Sequence, residues 1–292
     1  MSSSSSEEKW DIVIRSKKSW FSIDWRELWR YRDLISMFVR RDFVAFYKQT
    51  ILGPLWYLIQ PLFTTMIFVV IFSRIASIST DGVPAVLFYL SGLVLWNYFS
   101  DCLVSTSSTF LDNQNIFGKV YFPRLSIPIS IIFSKLIKLA IQLVLLALIY
   151  LYFLFKGEAV QPSPWLPLVL PMLIIQMAFL GLGTGILISS LTTKYRDLNY
   201  LVGFGVQLWM YATPIIYPIS QIPEKYRILV NLNPAAQVVT NLRFILFGGS
   251  ASTSLVPAIG NDLVISLVIT LVILLLGLFM FARVEKSFID TI

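Results

Sequence analysis

Reactive side chains are scarce in this 292-residue chain. It has no histidine and one cysteine, Cys102. A Ser-His-Asp or Cys-His constellation, a metal site of the usual nitrogen and sulfur ligands and an intrachain disulfide are therefore all out of reach. A phosphate-cradling GxxxxGK[ST] loop is missing: Gly118-Lys119 runs into Val120, and no glycine lies five residues ahead of Gly118. Any step driven by ATP would need its motor on another polypeptide. Paired catalytic carboxylates have no home either. Asp101 is the one acid well inside an apolar run, while Lys135 and Lys138 sit near the end of another, from which long side chains can snorkel to the interface. No basic residue shares the depth of Asp101 on its own helix. Asp101 is read as a polar residue facing a hydrated interior, with a proton relay as the weaker alternative.

Aromatic residues are the positive signal. Phe, Trp and Tyr make up 15% of the chain. Such rings often mark membrane interfaces or lipid contacts, and that reading stays open. Trp96, Tyr98 and Phe99, however, fall in the middle of an apolar run beside Asn97, Ser100 and Asp101. A wall mixing ring faces with a few hydroxyls and amides suits sugars, whose apolar faces are edged by hydroxyl groups. At about 100° per residue, Trp96, Phe99 and Ser100 share one helical face with Asp101 and Asn97 toward its edge. Tyr98 then points to lipid or a neighbouring helix. Tyr57 offers another stacking face, so Tyr57, Trp96, Phe99, Ser100 and Asp101 are the expected channel lining.

The elements that would position these residues are hydrophobic helices. The chain is 57% hydrophobic and 13% charged, against about a quarter charged in an ordinary soluble domain. Apolar runs of about twenty residues each match the thickness of a bilayer core. They predict an all-α membrane protein with six spans, at 51–73, 84–111, 127–155, 165–191, 198–217 and 263–282. Eighteen basic residues fall on the side of the two termini and five on the other, so the positive-inside rule puts both termini in the cytoplasm. The net charge of +7 then reflects anionic lipid head groups and not nucleic acid. Residues 1–22 read as a disordered cytoplasmic tail, not a cleaved signal peptide, and 23–292 as a single transmembrane domain.

Three further segments are informative. Residues 24–43 form a basic, Trp-containing amphipathic helix, with Asp24 and Glu27 as a capping pair. It suits the head-group boundary, either as a simple anchor or as a movable element at a pore mouth. The link at 112–128 sets Lys119 and Arg124 among Phe117, Tyr121 and Phe122 and is closed by Pro123 and Pro128. It reads as a docking surface or, equally, as an interfacial anchor. After the fifth span, a stretch broken by Pro214, Pro218, Pro223 and Pro234 ends in a helix capped by Asn233 and stopped by Gly248. Two short helices dipping into the outer leaflet fit it, and an external hairpin is the alternative.

Four stretches, RRDFVAFYKQTILGPLWYLIQP at 40–61, NIFGKVYFPR at 115–124, KYRDLNYLV at 194–202 and TPIIYPISQIPEKYRILVNLNPAA at 213–236, carry a resemblance that covers essentially the whole chain. It is to the permease subunits of bacterial ABC type-2 exporters of O-antigen, capsule and teichoic acid polymers. The resemblance implies an inner-membrane homodimer with a channel between two six-span protomers and two copies of a nucleotide-binding ATPase subunit. It also implies ATP and Mg on that partner with no cofactor on this chain, and lipid-linked polysaccharide, O-antigen first, as cargo. It further implies an ATPase-coupling segment using Asn115, Phe117, Gly118, Lys119, Tyr121, Phe122 and Arg124. A gate helix using Trp25, Leu28, Trp29 and Tyr31, and paired re-entrant helices after the fifth span, complete what it implies. A capsule or wall teichoic acid permease and a small-molecule exporter of the same fold remain alternatives, whereas an ion-coupled carrier would need charged stations that the spans lack.

With no nucleotide loop of its own, the purified chain is expected to hydrolyse no ATP. A phosphate-release assay on the chain alone, freed of contaminating ATPases, checks this.

Overall fold

The computed structural model describes residues 25–48, 51–117, 119–158, 161–193, 195, 197–248 and 261–287. The expected tail at 1–22, Asp24 and Gly118 lie outside them. Every regular element among the described residues is helical. The order is α1 (Trp25–Arg30), α2 (Arg32–Lys48), α3 (Gly53–Ile75), α4 (Ala85–Ser107), α5 (Thr109–Asp112) and α6 (Gln114–Phe117). Then come α7 (Ser126–Phe155), α8 (Leu166–Thr192), α9 (Leu198–Tyr211), α10 (Glu224–Asn231), α11 (Pro234–Phe247) and α12 (Asn261–Ser287).

Five of these helices, α3, α4, α7, α8 and the Asp262–Glu285 part of α12, are long and apolar enough to cross a bilayer. The expected fifth span is different: α9 holds 14 residues, about 21 Å of helix, short of the roughly 30 Å of hydrocarbon. Beyond Tyr211 the chain leaves the helix, and Thr213 to Ile216 are buried. The second span also departs from expectation, because α4 ends at Ser107 and the chain turns at Ser108 into the short α5. Hydroxyls of Thr106, Ser107 and Thr109 bond back to carbonyls of the preceding turn, a competition that bends helices.

Helix α4 is the hub. Most of its length is buried, whereas α3, α7 and α12 keep most of their surface open. It packs against α3, α7, α8, α9 and α11, and α8 in turn packs along α12. The α8–α12 contact is close enough to bring backbones together: a Cβ on Gly277 would collide with the Gly183 carbonyl oxygen, and one on Gly183 would stand 2.7 Å from Leu274 Cα. Small residues permit this approach where lipid tails offer no hydrophobic drive to helix association. Beside it, the Gln176 amide donates to the Ser266 hydroxyl across the same helix pair, and Ser266 donates to the Pro234 carbonyl at the start of α11.

A second cluster closes the end of the bundle that carries the 112–126 link. Phe38 of α2, Phe110 of α5, Phe117 of α6, Phe122 of the link, Ile186 of α8 and Phe281 of α12 are all buried in it. Phe110 and Phe281 stack at 4.6 Å, and Phe38 meets Phe122 at 6.2 Å. Contacts of this kind add to the stabilisation from burial itself.

Gly277→Ala is expected to lower stability by about 1–3 kcal/mol, because the added methyl must force two helices apart. Gly203→Ala on α9, where a Cβ meets nothing within 4 Å, should be neutral. Thermal unfolding of the two variants in detergent measures the difference.

Candidate functional site

Asp101 is not alone. Lys138 Nζ of α7 donates to its Oδ2 at 2.7 Å, and the same ammonium lies 5.9 Å from the centroid of the Tyr57 ring on α3. The pair joins α4 to α7 at the edge of a groove of about 1260 Å³ bounded by α2, α3, the end of α4 and the first turns of α7. One wall, from α7, presents Ser130, Ser134, Lys135 and Lys138, and the facing wall, from α3, is largely apolar, with Trp56, Ile59, Phe63 and Ile67. At the α2 edge, Arg41 pairs with Asp42 at 2.9 Å, and the Ser134 hydroxyl donates to Asp42 at 3.4 Å. The sequence reading missed the Asp101–Lys138 contact because it sought a partner on the same helix, while the partner lies 37 residues away. The signal was present: both residues sit a few turns from the same link between the spans.

The expected channel face divides. Tyr57 lines the groove and Asp101 touches its rim through Lys138. Trp96 and Phe99 point the other way. They are 3% and 0% exposed, their rings meet at 5.2 Å, and Phe99 packs edge-on against Trp209 of α9 at 5.0 Å. Their face is occupied by the protomer's own core and does not form an open wall. Ser100, like Asn97, is half-buried at the margin. Tyr98 is buried against neighbouring helices, one of the two places foreseen for it.

The link between α4 and α7 also has two sides. Phe117, Phe122 and Arg124 are each 7% exposed and turn into the aromatic cluster. Arg124 donates to the Glu285 carbonyl of α12 at 2.7 Å and lies 5.5 Å from the centroid of the Phe117 ring. Burial lowers its guanidinium from the ordinary value, and the Glu285 carboxylate opposes that shift. These three, expected within a docking segment, are buried here and form the roots of the link. The outward side is Asn115, Lys119, Val120 and Tyr121, with Tyr121 77% exposed.

The expected helix at 24–43 is two helices, α1 and α2, separated by a turn at Tyr31. Leu28 and Tyr31 rest on the aromatic cluster and Phe38 enters it. Trp29 points outward beneath the Arg32 guanidinium at 5.6 Å. The Trp25 side chain lies outside the described residues.

At the other end of the bundle, Arg243 of α11, one of the five basic residues assigned to the side away from the termini, has a structural role that its charge alone does not disclose. It donates to the carbonyls of Phe88 at 3.0 Å and Ile215 at 2.8 Å, and also to Pro214. Its guanidinium lies 3.6 Å from the Phe88 ring centroid. A Cβ on Gly92 would stand 2.8 Å from its Nη2, so Gly92 leaves the space. Asn233 caps α11 as its sequence context predicted, accepting from the Ala235 N–H. Its side chain also accepts from Trp209 Nε1 and donates to Thr213 Oγ1 and the Ala212 carbonyl.

The profile of the ABC-2 type transporter family matches residues 33–247. The chain is 30% identical over 219 residues to the O-antigen export system permease protein RfbA of Klebsiella pneumoniae, covering 74% of this chain and 81% of that one. It is 26% identical over 225 residues to the protein of the same name from Myxococcus xanthus, covering 76% and 83%. Against the polysialic acid transport protein KpsM of Escherichia coli, identity is 24% over 241 residues, covering 82% and 89%.

The two-sided link makes a labelling experiment decisive. With the sole native thiol, Cys102, buried, a water-soluble maleimide should react readily with K119C and Y121C in membranes open on both sides. F117C and F122C should react slowly, at rates that rise only on unfolding.

Proposed function

Since the chain belongs to the ABC-2 type transporter family, we propose that it is the permease subunit of an ABC exporter that carries lipid-linked polysaccharide, O-antigen first, across the bacterial inner membrane. The observation that carries this reading is the likeness to O-antigen export permeases over three quarters of the chain. In the exporter two copies of the chain enclose the conduit, and two ATPase subunits dock from the cytoplasm and hold ATP and Mg. The chain itself supplies no cofactor and remains a transport component.

In this arrangement the chain crosses six times. Helix α9 spans only part of the bilayer, and the buried, carbonyl-stapled segment from Thr213 to Ile216 completes the passage. Non-helical backbone at that depth is tolerated when it is buried in protein. Helices α10 and α11 form the re-entrant pair, α11 being lodged among α4, α8 and α12. Both termini face the cytoplasm. Helices α1 and α2 lie along the head-group boundary as the gate element, and the outward residues Asn115, Lys119, Val120 and Tyr121 meet the ATPase. The conduit wall draws on Tyr57, Ser100 and Asp101, weak and repeated contacts being what a sliding polymer requires. The likeness to a polysialic acid transport protein favours capsule polysaccharide as the second reading.

Deletion of the gene in its source strain tests the proposal. Lipid-linked polymer should accumulate inside the cell while the surface loses its O-antigen, and plasmid-borne wild type should restore both. Loss of capsule with intact O-antigen would move the assignment to the second reading. Normal surface polymers together with altered efflux of small hydrophobic compounds would overturn both.

A further inference from the structure

Lys135 has no hydrogen-bonded or ionic partner among the described residues, although its neighbours in the groove are paired: Lys138 with Asp101 and Arg41 with Asp42. It lies nine residues into α7, about 14 Å from the helix start, and is only partly exposed. A cation at such depth is costly unless an anion or water compensates it, and basic pockets between transmembrane helices are places where anionic lipid head groups bind. The groove has the two-sided character that a lipid needs. On the polar side the two lysines of α7 face the groove, with Asp42 engaged by Arg41 and Ser134 and Asp112 by Ser108; on α3, Trp56, Phe63 and Ile67 are respectively 44%, 64% and 52% exposed. Its volume, about 1260 Å³, exceeds that of an ordinary small-molecule pocket, typically about 300–1,000 Å³.

We propose that this groove binds the phosphate of a membrane lipid. The phosphate rests against Lys135, with Lys138 as the second cation, and the hydrocarbon chain lies along the apolar wall of α3. Lysine suits this task as a compact, mobile point charge that does not demand one planar geometry. Asp101 holds Lys138 back from the phosphate, so that the pair tunes the affinity of the site. Two lipids present this chemistry, a bulk anionic glycerophospholipid and a polyprenyl phosphate of the kind that carries a glycan. The site rests on the membrane setting proposed above and not on the cargo.

Native mass spectrometry of the full chain in mild detergent, titrated with dioleoyl phosphatidylglycerol, undecaprenyl phosphate or dioleoyl phosphatidylcholine, tests this. The wild type should retain the two anionic lipids in preference to the zwitterionic one. Lys135→Gln should weaken retention of both by roughly tenfold, the worth of one charge-assisted hydrogen bond, and Lys135→Arg should keep most of it. Asp101→Asn, by freeing Lys138, should tighten binding, a change of sign that a loss of folding would not produce. Displacement of phosphatidylglycerol by equimolar undecaprenyl phosphate would support the site with the carrier as its ligand, and the reverse would support it with bulk lipid. Equal retention by the wild type and Lys135→Gln, or weakening in both Lys135→Gln and Asp101→Asn, would overturn the site. Lipid retention by the purified chain is read independently of polymer export, so failure of either reading leaves the other standing.

Discussion

A peptide group held away from water must find a partner inside the protein, and in a membrane that requirement confines the chain to helices wherever it faces lipid. Between Tyr211 and Ile219 the chain leaves the helix in a largely buried stretch, whose carbonyls must find partners locally. Arg243 meets this need by donating to the carbonyls of Pro214 and Ile215, while also reaching that of Phe88 on α4, and Asn233 by donating to the carbonyl of Ala212. The planar fork of arginine can serve several acceptors at once, which an ammonium on a flexible stem does less well. Among the described residues no carboxylate pairs with it, so the guanidinium is neutralised by dipoles and by the face of Phe88. The position of α11, the ending of α9 and the absence of a side chain at Gly92 all depend on this cradle.

The same economy governs the aromatic residues. Few of those near the middle of the bundle are spare: Trp96, Phe99 and Trp209 lock α4 to α9, and Phe68, Phe72 and Tyr89 lock α3 to α4. At the opposite end, Phe38, Phe110, Phe117, Phe122 and Phe281 tie five segments into one cluster. Rings supply large contact area at small entropic cost, so a bundle with few polar contacts between its helices relies on them for specificity.

Local sequence disclosed what local physics decides. Hydropathy located five long helices to within a few residues at most ends, and Asn233 with Pro234 announced the start of α11, because caps and apolar length are properties of a single segment. The truncation of α9 was less legible: Pro214 and Pro218 lie beyond its end, and residues 198–217 are largely apolar, with Asn199, Gln207 and Thr213 the few strongly polar positions. Direction around a helix was not legible at all in α4. Trp96 and Phe99 suit a lumen, lipid and core equally well by type, and only the arrival of Trp209 from α9 decides among them. The Asp101–Lys138 contact and the inward turn of Arg124 likewise depend on which helix comes to lie alongside, a fact written in pairs of distant residues and not in either alone.

The 112–126 link divides its labour between roots and tips. Its roots, Phe117, Phe122 and Arg124, are constrained by the volume of the cluster they fill and by the carbonyl of Glu285. Its tips, Asn115, Lys119, Val120 and Tyr121, touch little of their own chain. Two selective pressures therefore act on neighbouring positions without interfering. As the docking surface proposed above, the tips can drift to follow a changing partner while the roots preserve the fold. A permease built this way can acquire a new partner through a handful of surface substitutions, and its evolutionary record should show alternating fast and slow sites within one short loop.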